Sequence, residues 1–147
     1  MPLDEERILF ESEIMSRELP QFKLYLFYRC FQGWYKTLTR GCQYQLRLEL
    51  SPYHPHERPS LYVTFPYTLR KYDGGTINSM GASHRFHTDK NRLNGYVQIC
   101  HFSSWDASKT CVGVFCKGLL WLEAYDVHLL TGMDMADILE QWKRRQS

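Results

Sequence analysis

Cys100 follows a short β-prone run, Tyr96-Val97-Gln98-Ile99, which is fed by a turn at Asn94-Gly95. After it come His101 and a small-residue loop, Ser103-Ser104, that ends at Trp105. A thiolate is both a nucleophile and a good leaving group. A cysteine at a loop mouth therefore suits acyl relay, taking a carboxyl group as a thioester and passing it to an amine, a thiol or water. That chemistry needs an exposed sulfur, a placed acceptor and a hydrogen-bond donor for the developing oxyanion. His84, His87, Asn91 and Asn94 lie upstream as candidate donors. His101 is the base nearest in sequence, but neighbouring side chains of an extended Val97–Phe102 segment point to opposite faces, which ranks His87 ahead of it for contact with the acyl group. The plain alternative is that Cys100, beside Ile99, is a small core residue.

Periodicity identifies the elements that must hold this loop. Residues 3 to 19 are expected to be helical, with Leu3, Phe10 and Ile14 on the packed stripe and Asp4, Glu5 and Glu6 at the positive helix end, until Pro20 stops it. Phe22 to Phe31 has the aromatic density of a strand, Gln32-Gly33 reads as a turn, Trp34 to Arg40 as a second strand and Gly41 as a break. Tyr44, Leu46, Leu48 and Leu50 alternate with Gln45, Arg47 and Glu49, the pattern of a half-buried antiparallel strand. A proline-punctuated crossing, residues 51 to 59, leads to a fourth strand carrying Leu61, Val63 and Phe65 and ending at Pro66. His54 and His56 on that crossing lack carboxylate or thiol partners at ligand spacing, so they read as surface-loop residues and no metal is assigned.

Residues 66 to 98 form a long Gly-containing connection, of the kind that serves as an active-site or binding loop. Beyond Trp105, with Asp106 or Ser108 as cap, Val112, Phe115, Leu119, Leu122 and Leu129 trace a long helix ending near Gly132. Trp121, Tyr125 and His128 form a neighbouring stripe that suits core or an interface. Asp134 to Arg145 is a short closing helix. The expected class is α+β: an N-terminal helix, a four-stranded antiparallel meander, a long active-site loop and C-terminal helices, in a single domain over residues 1–147.

A formal net charge of +2 gives no electrostatic support for nucleic-acid binding. The acidic start, Met1 to Arg7, is unlike a signal peptide and no apolar run is long enough to span a bilayer, so a cytoplasmic protein without membrane attachment is expected. Five cysteines with no CxxC pair argue against both a disulfide framework and a zinc site. Cys30, Cys42, Cys111 and Cys116 read as packing residues, and no cofactor is assigned.

The order of elements resembles the ubiquitin-conjugating enzyme fold. The matching pieces are Pro59 with Leu61 to Pro66, then His87-Thr88-Asp89 where the family carries His-Pro-Asn, then Gly95 to His101 around the cysteine, and Trp105-Asp106. Trp121 to Tyr125 and Leu129 to Gly132 are similar to the long carboxy-terminal helix of the prokaryotic branch, whose stand-alone members occur in type II (short) CBASS antiphage operons. The resemblance implies that Cys100 is the thioester-forming residue of an acyltransferase. Asn91 or Asn94 would replace the missing oxyanion donor. It further implies a partner, the C-terminal tail of a cGAS-like nucleotidyltransferase (CD-NTase), with a separate activating enzyme as a second candidate partner. Two other readings stay open: a catalytically inactive conjugating-like adaptor, and a cysteine hydrolase that cleaves a protein C-terminal tail.

Overall fold

The computed structural model describes residues 4–90 and 93–145. Its centre is strand β3 (Gln43–Glu49), where the alternation seen in the sequence becomes a dry face of Tyr44, Leu46 and Leu48, continued by Leu50 just beyond the strand. Strands β2 (Cys30–Lys36) and β4 (Ser60–Phe65) flank it, antiparallel on either side. The sheet is completed by β1 (Lys23–Tyr25), β5 (Thr88–Asp89) and β6 (Val97–Ile99), giving the order β1-β2-β3-β4-β6-β5 with every pair antiparallel. Helices α1 (Glu5–Glu18), α2 (Cys111–Thr131) and α3 (Met135–Arg145) complete an α+β architecture. No helix among the described residues is long and apolar enough to cross a membrane.

Helix α2 lies close on the sheet because Gly118 removes the side chain at the crossing. A Cβ there would stand 2.7 Å from Leu61 Cδ2 and 3.2 Å from Leu46 Cδ1. Phe115 stacks on Phe22 with ring centroids 3.9 Å apart, and Leu46, Leu48, Leu61, Val63, Val114 and Leu122 are sealed from solvent. Each such side chain contributes roughly 1.5–3 kcal/mol by leaving water.

The sheet differs from the expected meander in having six strands rather than four. Phe22–Phe31 is not one strand. It breaks at a single 3₁₀ turn, Leu26–Tyr28, and Arg29 takes the left-handed conformation (φ 51°) that reverses the chain into β2. Gln32-Gly33, expected to turn, instead lies inside β2 and pairs with Arg47 and Leu46. Glycine is needed there for close approach, since a Cβ on Gly33 would fall 2.1 Å from the Gln21 carbonyl oxygen.

The packed face of α1 is Ile8, Glu11 and Met15, whereas Phe10 is exposed; Leu3 lies outside the described residues. A glutamate in the apolar stripe disguised the true face. Helix α2 begins later than the Asp106 or Ser108 expectation, with the Thr110 side chain accepting from the Gly113 amide, while Asp106 caps a separate turn through Ser108 N at 2.8 Å. Its end at Gly132, left-handed at φ 79°, is where the sequence put it.

Gly33→Ala is expected to destabilise the protein by about 1–3 kcal/mol through overpacking against residues 21 and 22. Urea unfolding measures this, and an unchanged midpoint would mean that the two segments part without cost.

Candidate functional site

Two walls meet at Cys100. On the first, β5 and β6 pair Thr88 with Ile99 and Asp89 with Gln98, and the Cys100 amide donates to the His87 carbonyl at 2.9 Å. Ser83 and Thr88 exchange both backbone hydrogen bonds at 3.0 Å, which closes a tight loop over His84 to His87. His87 sits at φ 52°, a left-handed conformation that costs a non-glycine residue energy and is held by the surrounding bonds. The two imidazoles lie with centroids 5.4 Å apart. Ala82, Ser83, His84, His87, Thr88 and Cys100 line a cleft of about 290 Å³.

This wall is pinned from behind by the aromatic stripe of α2. Trp121 Nε1 donates to the Phe86 carbonyl at 2.7 Å, Tyr125 Oη to the Arg70 carbonyl at 2.7 Å, and the Tyr72 amide to His128 Nε2 at 3.1 Å. Because His128 Nε2 accepts, its Nδ1 carries the proton and donates to the Met133 carbonyl at 2.7 Å. The stripe is therefore core, as its spacing suggested, and it is also what orders the long connection. Arg85 adds an ion pair to Asp134 at 2.8 Å, and its carbonyl accepts from the Ala136 amide at 2.9 Å.

The second wall is the loop after Cys100, held by the crossing that precedes β4. Arg58 donates to the carbonyls of Phe102 (2.6 Å) and Ser103 (3.3 Å), His101 Nε2 to that of Pro59 (2.8 Å), and Trp105 Nε1 to that of Pro55 (2.8 Å). Strand β6 stops at Ile99, and His101 turns toward Pro59, so its ring serves the loop rather than the sulfur.

Cys100 itself is exposed. Its sulfur is nonetheless only partly hydrated, and this burial pushes the thiol above its ordinary range. The nearby Asp89 carboxylate adds to the rise and Arg58 opposes it. Burial, with a smaller contribution from His84, holds His87 below the usual imidazole range, so at neutral pH the ring is uncharged. Burial does the same to His101 against the opposing Pro59 hydrogen bond. The resting pair is thus a thiol beside a neutral imidazole. The Thr88 hydroxyl is buried with no hydrogen-bond partner among the described residues.

Of the residues expected at this site, the structure brings Cys100, His84 and His87 together. Asn94 is exposed on the turn before β6, at φ 52°, and does not line the cleft. Asn91 lies outside the described residues. Thr88 and Arg58 were not foreseen; the one visible hint was Arg58 as the sole cation on the Pro-rich crossing.

A second cluster corrects the reading of His54 and of two cysteines. His54 is not a surface residue but is 2% exposed, with Nε2 at 2.6 Å from Glu11 Oε2; His56 is exposed as expected. The Cys111 thiol donates to the same oxygen at 3.0 Å, the Cys111 amide to Glu11 Oε1 at 2.9 Å, and Arg7 Nε lies 3.3 Å from Oε2. Cys111 is therefore not merely packing. Cys116, expected to pack, is exposed because it falls on the outer face of α2. Burial pushes the Glu11 carboxyl up, but the hydrogen bonds from His54 and Cys111 outweigh it and leave the group below its ordinary value, ionised.

The fold and this site define an α+β protein with one antiparallel sheet and a solvent-facing cysteine beside two histidines. Compared with known proteins, the chain matches no family model, no curated protein and no solved structure.

Maleimide is expected to label Cys100 well before the buried Cys30 and Cys111, with a rate that keeps rising above pH 9 because the thiol is raised. Removing the Asp89 carboxylate in Asp89→Asn should speed labelling of Cys100 at pH 8 by a few-fold, as a lowered thiol pKa requires. Peptide mapping by mass spectrometry reads both. A rate unmoved by Asp89→Asn would show that this carboxylate does not act on the sulfur.

Proposed function

We propose that this chain is a thioester-forming acyltransferase of the ubiquitin-conjugating type, acting in the cytoplasm on the carboxy-terminal tail of a cGAS-like nucleotidyltransferase in CBASS antiphage defence. The observation that carries the chemistry is an exposed thiol at the end of β6, in a cleft shared with His84, His87 and Thr88. The kind of acyl donor rests on the sequence resemblance around Cys100, Trp121 to Tyr125 and Leu129 to Gly132. The fold type rests on the order of helix, antiparallel strands, proline-rich crossing, cysteine loop and long helix.

Forming a thioester from a free carboxylate is uphill, so the acyl group arrives already activated, which is the work of a separate activating enzyme. Cys100 Sγ attacks the carbonyl carbon, the new S–C bond forms, and the activated leaving group departs as the thiol proton is taken up. His87, neutral and lining the same cleft, is suited to accept that proton. A thiol with a raised pKa beside an uncharged imidazole is unlike the thiolate and imidazolium pair of a papain-type cysteine hydrolase.

The test is co-expression with a cGAS-like nucleotidyltransferase and an activating enzyme. The expected product is a covalent adduct that excess thiol cleaves, that is absent in Cys100→Ala and that becomes thiol-resistant in Cys100→Ser. His87→Ala should slow its formation by roughly 100-fold. An adduct that persists in Cys100→Ala would end this reading. Undiminished partner binding with no adduct in the wild type would select the adaptor instead.

A further inference from the structure

The Glu11, His54 and Cys111 side chains come from three separate elements: the middle of α1, the crossing before β4 and the first residue of α2. Their ligand atoms all lie within 4.8 Å of one another and all three residues are buried. We propose that they form a structural site for a borderline-soft divalent cation of the zinc class.

The donor set is a carboxylate oxygen, an imidazole nitrogen and a thiol sulfur, which is the ligand mixture that such an ion takes. Around a tetrahedral ion, donors of these kinds stand about 3.3–3.6 Å apart. Cys111 Sγ and His54 Nε2 are 3.8 Å apart, close to that spacing. Glu11 Oε2 is nearer to each of them, at 2.6 and 3.0 Å, and needs to recede by about 0.5 Å from the sulfur and about 0.7 Å from the nitrogen, a small torsional change for a glutamate.

Loading balances simply. The ion enters, the thiol proton leaves to solvent, and His54 binds through Nε2 with its proton on Nδ1. That nitrogen is buried with no partner among the described residues, so no second hydrogen bond locks the ring in its other tautomer. Thiolate and carboxylate offset the double charge. Arg7 keeps its own anchors, the carbonyls of Ala107 at 2.7 Å and Lys109 at 2.6 Å.

Stability alone gives little reason for the cluster, since apolar side chains of similar volume usually serve a core as well as a buried ionic group does. A bound ion would give the three residue types a common purpose. It would tie α1 and α2 to the crossing whose carbonyls hold the Cys100 loop. This inference is independent of the acyl-transfer reading.

The test uses the full chain, stripped with a chelator and titrated with Zn(II) and separately with Co(II). One ion per chain is expected, with a thiolate-to-cobalt charge-transfer absorption and a rise in the unfolding midpoint with zinc of about 5 °C or more. The absorption should vanish in Cys111→Ser and in Glu11→Gln. It should persist in the triple variant Cys42→Ser, Cys100→Ser, Cys116→Ser, which removes the accessible thiols. Absence of both the absorption and the midpoint shift in the wild-type chain overturns the proposal. So does an absorption that survives Cys111→Ser or is lost in the triple variant. Should Cys111→Ser fail to fold, the wild-type titration with Glu11→Gln and the triple variant decides.

Discussion

A single buried carboxylate dictates how the front half of this molecule is arranged. Glu11 has no exposure to solvent, and its two oxygens take hydrogen bonds from His54, from the Cys111 thiol and from the Cys111 amide, with Arg7 alongside. An ionised group in such a place is tolerable only when nearly every lone pair is engaged. Helix α1, the start of α2 and the proline-rich crossing must therefore converge on it, or its charge would stand unpaired in the core. The crossing in turn offers the carbonyls of Pro55 and Pro59 to Trp105 and His101, and the Arg58 guanidinium to Phe102 and Ser103. A chain of fixed polar contacts thus leads from the buried carboxylate to the loop that carries Cys100.

The other wall of the cleft depends on a different device. Among the described residues, the long connection between β4 and β6 gives only Thr88 and Asp89 to the sheet, yet Leu69, Ile77 and Phe86 are buried. Helix α2 supplies the polar anchors that such a segment needs, because Trp121, Tyr125 and His128 each have an apolar body for the core and a nitrogen or oxygen that bonds the backbone of the connection. Phe86 stands immediately before His87, so the Trp121 hydrogen bond also fixes where the catalytic candidate's backbone lies.

The electrostatics of the cleft describe a guarded nucleophile. Burial and Asp89 hold the proton on the Cys100 sulfur, and burial and His84 keep His87 uncharged. Neither group is primed by the other at rest. Screening of Asp89 would lower the thiol pKa, whereas further loss of water would raise it.

Where one face of an element is uniform, the sequence was enough. Strict alternation from Tyr44 to Leu50 defined β3, Gly132 ended α2 in the left-handed conformation that glycine tolerates, and the β-prone run before Cys100 delivered it to a loop mouth. Reading failed where a polar residue lay on the dry side or a glycine served for close approach. Glu11 hid the packed face of α1, and Gly33 was taken for a turn although it is a strand residue pressed against Gln21. The class, the cysteine and the neighbouring histidine were legible because they depend on local pattern. The partners of that cysteine, and the meeting of Glu11, His54 and Cys111 across separations of 43 and 100 residues, were decided only by tertiary packing, since no local pattern records which distant side chain will share a buried charge.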